Sequence, residues 1–350
     1  MAAIHEDLIR STLSQVRYPG FSRDIVSFGL VKGIQTTGND VAVTLQITTA
    51  DAAIPQAIQT ASEKALRALP GIGNVTVQME VNTPAAQAVP GSAGPTAIAG
   101  VKHVIAIASG KGGVGKSTVA VNLALALAKT GASVGLCDCD IYGPSIALMF
   151  GSRERPMATE DDQIIPIETA GLKLMSMGFL LDDTSPAVLR GPMVTRTTQQ
   201  FLRQVEWGNL DYLILDLPPG TGDIQLTIVQ TVALAGAILV TTPQEVALID
   251  VRKAASMFGK VNVPLLGLIE NMSYFLCPSD GKRYDIFGSG GGSREAQRLN
   301  VPLLGEIPID IATREAGDRG IPIVVSDAES PVSKAFTAAA ALVCSTLSSK

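Results

Sequence analysis

Histidine and cysteine are scarce in this 350-residue chain, which has two of the first and four of the second. Neither His5 nor His103 lies in a motif, and no Ser/His/Asp or Cys/His arrangement stands out, so hydrolysis by an activated nucleophile is not indicated. Four cysteines over this length do not make a disulfide framework, and a reducing, cytoplasmic compartment is expected. The chain has no uninterrupted run of 18 apolar residues, so no membrane-spanning helix is expected. Met1–Arg10 carries Glu6 and Asp7 without an apolar segment, unlike a signal peptide. Runs of basic residues are also missing, and the net charge is −5, which argues against nucleic-acid or anionic-membrane partners. What remains is a globular balance of 46% hydrophobic and 17% charged residues, long enough for two domains.

The most informative stretch is 104–118. Val104–Ala108 reads as a short buried strand, and Val119–Lys129 repeats its apolar residues as a helix would. Between them lie Gly110, Lys111, Gly112, Gly113, Val114, Gly115, Lys116, Ser117 and Thr118, a phosphate-binding P-loop in the strand–loop–helix context it requires. Glycines let successive N–H groups turn inward on a phosphate, and the following helix aims its free N–H groups at the same anion. Lys116 is expected to reach the β- and γ-phosphates of ATP, and Ser117 to hold Mg²⁺. Lys111, directly after Gly110, is an unusual charge for such a loop. With it the loop resembles the deviant Walker A sequence of the MinD/ParA/nitrogenase-iron-protein class of ATPases. The resemblance implies that Lys111 reaches across a homodimer to the partner's nucleotide; the alternative is a solvated surface lysine.

Residues 1–82 read as a small α/β domain. Asp7–Val16 and Ile54–Leu69 are expected helices, with Tyr18-Pro19-Gly20 ending the first. Ile25–Ile34, Val41–Ile47 and Gly73–Val81 are expected strands, the first two joined through Thr37-Gly38-Asn39-Asp40. Asp24-Ile25-Val26 and Leu69-Pro70-Gly71-Ile72 resemble the MIP18-like domain of iron–sulfur assembly factors. A cysteine often present in that family is absent from Thr48–Pro55, which leaves docking as the implied role. Residues 83–100 are rich in Ala, Pro and Gly and carry no charge, so they read as a flexible linker.

From Val101 to the end, strands alternate with helices. The expected fold is α/β, a P-loop NTPase with a mostly parallel doubly wound sheet beside the small N-terminal α/β domain. Ser133–Cys137 is a buried strand running into Asp138-Cys139-Asp140, whose carboxylates, two apart, point toward the ligand crevice. Asp140 is assigned to positioning the attacking water. Asp138 either supports the Mg²⁺ shell or caps a turn. Cys137 and Cys139 read as small apolar residues of the strand. Asp211–Asp216 is a Walker B strand whose terminal Asp216 would hold a Mg²⁺-bound water, followed by the glycine-containing loop Leu217–Asp223. Asn271 follows the strand Leu265–Glu270. In the superfamily it corresponds to the residue that bonds adenine; otherwise it is an ordinary turn asparagine.

Glu270-Asn271-Met272-Ser273-Tyr274-Phe275-Leu276-Cys277-Pro278 and Asp285-Ile286-Phe287-Gly288 narrow the resemblance to the Mrp/ApbC iron–sulfur cluster carrier ATPases. Ile141-Tyr142-Gly143-Pro144-Ser145, Leu189-Arg190-Gly191-Pro192 and Pro218–Asp223 agree with it. The resemblance implies a homodimer that binds a cluster, usually 4Fe-4S, through a C-x-x-C pair from each subunit. It also implies apo iron–sulfur proteins and assembly factors as partners. Thiolates suit such clusters because sulfur is a soft ligand. Here Cys277 is followed at the second position of the pair by Asp280. Either Asp280 ligates through oxygen, or another thiol completes the set, or cluster binding is lost. Cys344 reads as packing. A positioning ATPase of the MinD/ParA type would need a basic C-terminal membrane helix or DNA surface, and Pro331–Lys350 offers only Lys334 and Lys350.

Overall fold

The computed structural model describes residues 5–16, 24–26, 29–48, 53–82, 95–159, 161, 163–180 and 191–348. They fall into two compact units, Met1–Ala93 and Gly94–Lys350. The first unit runs α1 (Glu6–Leu13), β1 (Val31–Thr37), β2 (Asp40–Thr48), α2 (Ala53–Arg67) and β3 (Val75–Asn82). Its sheet is ordered β1-β2-β3, antiparallel between the first pair and parallel between the second. Thr37 pairs with Asp40, and Gly38 takes φ +64° in the two-residue loop between them, a conformation glycine adopts without a Cβ clash. The expected alternation holds: Val41, Val43, Leu45 and Ile47 are all buried, packing with Ile9, Leu13, Ile58 and Leu66.

The first strand begins later than expected. Val26 N–H donates to the Asp24 carboxylate at 3.0 Å, and Gly29 N–H to the Val26 carbonyl at 2.9 Å. These local bonds turn the chain, so Ile25 is buried in the core but lies outside β1. Tyr18-Pro19-Gly20, residues 49–52 and residues 83–94 of the expected linker lie outside the described residues.

The second unit contains β4 (Val101–Ser109), α3 (Lys116–Ala128), β5 (Val134–Asp138), α4 (Ile146–Met149), β6 (Met157–Ala158), β7 (Ile164–Ile165), β8 (Ile167–Thr169), β9 (Leu172–Met175) and α5 (Gly191–Arg203). It continues with β10 (Leu210–Asp216), α6 (Asp223–Thr231), β11 (Gly236–Thr241), α7 (Glu245–Lys260), β12 (Leu265–Glu270), β13 (Phe275–Leu276) and β14 (Arg283–Tyr284). Then come α8 (Gly291–Leu299), β15 (Leu303–Glu306), α9 (Ile311–Asp318), α10 (Ile323–Ser326) and α11 (Pro331–Ser348). The main sheet is ordered β15-β12-β11-β4-β10-β5-β9-β8, and every pairing is parallel except β8 with β9. Both faces are covered: Ile105 and Ile107 pack with α3 and α11, and Ala106 and Ala108 with α5, α6 and α7. This is the doubly wound sheet the sequence predicts.

Residues 95–100 belong to this unit rather than to a linker. Thr96 bridges Val232, its N–H donates to the Thr231 carbonyl at 3.1 Å, and Ile98 packs on the core. Strand β4 lies between β10 and β11, where the strand order reverses, and ligands of such sheets bind at the carboxyl end of that point. No helix among the described residues is long and apolar enough to cross a membrane.

Candidate nucleotide site and the Cys277 arm

The P-loop leaves the end of β4 and enters α3. Gly113 and Gly115 sit at φ +80° and +78°, the latter as the N-terminal cap of α3. A Cβ at Gly110 would overlap the backbone of Asp250 in α7, so only glycine lets the loop start there. A Cβ at Gly115 would overlap the side-chain amide of Asn271. Ser109 Oγ donates to the Lys111 carbonyl at 2.9 Å, and Gly220 N–H to the Ser109 carbonyl at 3.0 Å, joining the loop to the segment after β10. Lys111 is half-buried, and its ammonium has no hydrogen bond or ion pair among the described residues.

Lys116, buried, forms an ion pair with the fully buried Asp216, and its ammonium lies 3.4 Å from Ser117 Oγ. Burial pushes the Asp216 carboxyl up; the Lys116 charge and the Lys116 and Ser117 donors oppose that, and the nearby Asp140 charge adds to it. Among the described residues, Asp216 Oδ2 is buried without a hydrogen-bond partner. A fully buried carboxylate oxygen with no donor, beside a hydroxyl and a lysine at a helix N-terminus, is a fit for Mg²⁺ and the phosphates it accompanies. Lys116, Ser117, Asp140 and Asp216 thus lie close together.

Asp138 is held differently. Its Oδ2 accepts from Ser145 N–H at 3.1 Å, Ile146 N–H at 3.3 Å and Ser176 Oγ at 2.9 Å, and its Oδ1 from Asp140 N–H at 3.1 Å. Burial first, then the Asp216 charge, push its carboxyl up to about 7, against Ser176, Lys116 and the Ile146 N–H. With both oxygens engaged, Asp138 matches the capping alternative rather than the Mg²⁺ shell: it ties the Asp140 loop to α4 and to the end of β9. Cys137 and Cys139 are buried in the core with sulfurs 3.9 Å apart, as expected for packing residues.

Asn271 lies against the loop. It is buried, and its Nδ2 donates to the Val114 carbonyl at 2.8 Å, which uses one of the two N–H groups of its amide. Its neighbour Glu270 carried no expectation, yet it is fully buried and accepts from Ser273 Oγ at 2.6 Å and from Gly292 N–H. A carboxylate closing a run of apolar strand residues was the available signal.

Beyond them, β13 and β14 form a hairpin whose turn carries Cys277. Cys277 N–H donates to the Lys282 carbonyl at 3.0 Å, Gly281 N–H to the Cys277 carbonyl at 2.8 Å, and Cys277 Sγ lies 3.0 Å from Ser279 Oγ. Asp280 Oδ1 accepts from Lys282 N–H at 3.0 Å and Oδ2 from Tyr284 OH at 2.9 Å, and these donors hold its carboxyl below the usual range. Each Asp280 oxygen therefore already accepts one hydrogen bond within the hairpin. Cys277 is half-exposed, and no group of three or more metal-ligating side chains forms among the described residues.

Residues 100–344 match the model of the NUBPL iron-transfer P-loop NTPases, and residues 6–79 that of an iron–sulfur cluster assembly protein domain. The chain belongs to the NUBPL iron-transfer P-loop NTPase family. A Synechocystis protein called iron–sulfur cluster carrier protein is 46% identical over 339 residues, covering 95% of each chain. A nucleotide-binding protein from Archaeoglobus fulgidus, solved in complex with ADP, is 40% identical and covers 63% of this chain and 87% of its own, with a TM-score of 0.57. The Pyrococcus furiosus cell division ATPase MinD shares the fold at 23% identity and a TM-score of 0.52, over 69% of this chain and 98% of its own. The Lys116–Asp216 pair and the Cys277 hairpin both lie within the residues that match the NTPase family.

Proposed function

We propose that this chain hydrolyses ATP to carry an iron–sulfur cluster, held as cargo between two copies of itself, to apo-proteins that need one. The observation that carries the nucleotide half is the buried oxygen of Asp216, without a partner among the described residues, beside Lys116 and Ser117. Backbone amides of residues 110–118 bind the phosphates, Lys116 neutralises the charge that develops on the transferred group, and Asp140 orients the attacking water. Ser117 and Asp216 hold Mg²⁺, which supplies further charge neutralisation when bound. Lys111, without a hydrogen bond or ion pair among the described residues, reaches the nucleotide of a second copy. The cargo half rests on Cys277: two copies bring two thiolates, fewer than the four a cluster usually takes, which suits a cargo that has to leave. Asp280 stays out of that set. A reducing cytoplasm belongs to this reading, because a half-exposed thiol survives there.

Two measurements test the halves separately. Lys116→Ala is expected to slow phosphate release by about 10²–10³-fold, the usual cost of one lost transition-state contact; unchanged turnover overturns the nucleotide assignment. In anaerobic reconstitution with iron and sulfide, Cys277→Ala is expected to lose bound iron, while Asp280→Ala keeps it. Equal iron in the parent and Cys277→Ala removes Cys277 from the site.

A further inference from the structure

Glu270 and Asn271, adjacent at the end of β12, hold two different parts of the second unit. Asn271 Nδ2 grips the Val114 carbonyl of the P-loop at 2.8 Å. Glu270 grips both ends of the excursion that carries Cys277: Ser273, where the chain leaves the sheet, and Gly292, in the first turn of α8 where it returns. A Cβ added at Gly292 would lie 2.8 Å from Glu270 Cβ, so the close approach depends on glycine. The backbone continues the same attachment, with Ser273 N–H donating to the Ile307 carbonyl at 2.9 Å and Ile309 N–H to the Tyr274 carbonyl at 2.6 Å. Arg283 stacks 4.1 Å over the Tyr274 ring and pairs with Asp285 at 2.8 Å, which stiffens the hairpin on that base. Neither phosphate binding nor the thiol itself requires Glu270. A buried carboxylate needs donors, but nothing requires both to come from the two ends of one excursion.

We propose that the Glu270–Asn271 step is the joint through which nucleotide in the P-loop sets the exposure of the Cys277 hairpin, with Glu270 as a positioning residue. When the loop closes its amides on phosphate, the Val114 carbonyl moves with them. Asn271 follows through its hydrogen bond, and the carboxylate next to it shifts Ser273 and Gly292 together. The inference rests on the nucleotide and cargo sites assigned under the proposed function.

The test is the rate at which a small alkylating reagent modifies Cys277 in the full chain, read peptide by peptide to separate it from the other three thiols. Nucleotide binding is measured in parallel. In the parent, the magnesium complex of a non-hydrolysable ATP analogue is expected to change that rate by about fivefold or more, the scale of ordinary coupling between sites. Glu270→Leu keeps nearly the same size and removes both acceptors, the one for Ser273 and the one for Gly292. It is expected to bind the analogue and lose most of the change at Cys277. Ser273→Ala removes one of the two grips and is expected to lose part of it; this variant decides the matter if Glu270→Leu does not fold. Variants that bind the analogue and respond like the parent overturn the joint. A parent that binds the analogue while Cys277 stays indifferent overturns the joint alone. A parent that binds no nucleotide overturns the nucleotide assignment and the joint with it.

Discussion

At the scale of single residues, the P-loop glycines differ in what they do. Gly113 faces open space, so alanine there meets only the left-handed backbone, a cost of about 1–2 kcal/mol. Gly110 and Gly115 have neighbours where the Cβ would go, and their alanine variants are expected to lose nucleotide binding as well as melting temperature. Thermal melts with and without magnesium nucleotide rank the three, and a Gly113→Ala variant as damaged as Gly115→Ala contradicts the packing argument. Asp138 carries a pH signature. Its native carboxyl titrates near 7, above the ordinary 3.8, so the folded state binds its proton more tightly than the unfolded chain does. That contribution favours folding at acid pH and is lost as pH rises from about 4 through 7. Asp138→Asn is expected to lower stability throughout and to flatten that part of the profile in denaturant titrations. The sequence left Asp138 open between magnesium and a cap, because the same carboxylate serves either, and only its four donors tell them apart.

At the scale of elements, the long buried strands β4, β5, β10, β11 and β12 were legible as apolar runs, all but β11 closed by glycine or a carboxylate. The edge strand β8 and the hairpins of β6 with β7 and β13 with β14 have two or three residues per strand, too short to show a period. Elements are also tied by side chains that periodicity does not reveal. Asn122, inside α3 and buried, donates to the Thr118 carbonyl at 2.9 Å and accepts the Val324 N–H of α10 at 3.2 Å. Asn122→Ala leaves that N–H unpaired in the core and is expected to cost about 1–3 kcal/mol of unfolding free energy. A loss near zero means that water reaches the site.

At the scale of the whole molecule, each unit has its own core: Leu45, Ile58 and Leu66 in the first, and the two layers flanking β4 in the second. A chain beginning at Gly94, the observed boundary, is therefore expected to fold and to hydrolyse ATP within about twofold of the parent, since the P-loop, Asp140 and Asp216 all lie beyond it. Loss of folding in that truncated chain means that the second core is incomplete without the first unit. A chain cut at Val101 instead discards the Thr96–Val232 bridge and the Ile98 contact, and is expected to melt lower. The composition of residues 95–100 resembles a linker, and the contacts that recruit them come from residues 231–233, more than a hundred positions away.

The order of residues along the chain determined the phosphate loop, the Walker B aspartate and the doubly wound sheet. Each is a local pattern in which spacing alone places main-chain amides, a carboxylate or an apolar face. It also determined that one thiol, not two, stands at the β13–β14 hairpin. Tertiary structure alone decided that Asp138 caps, that Asn271 braces the loop, that Asp280 is occupied within its own turn, and that Glu270 holds both ends of the hairpin excursion. A polar side chain's role is set by which donors and acceptors the fold brings within hydrogen-bond reach of it, and partners such as Val114 for Asn271 or Gly292 for Glu270 are too distant in sequence for any local pattern to disclose.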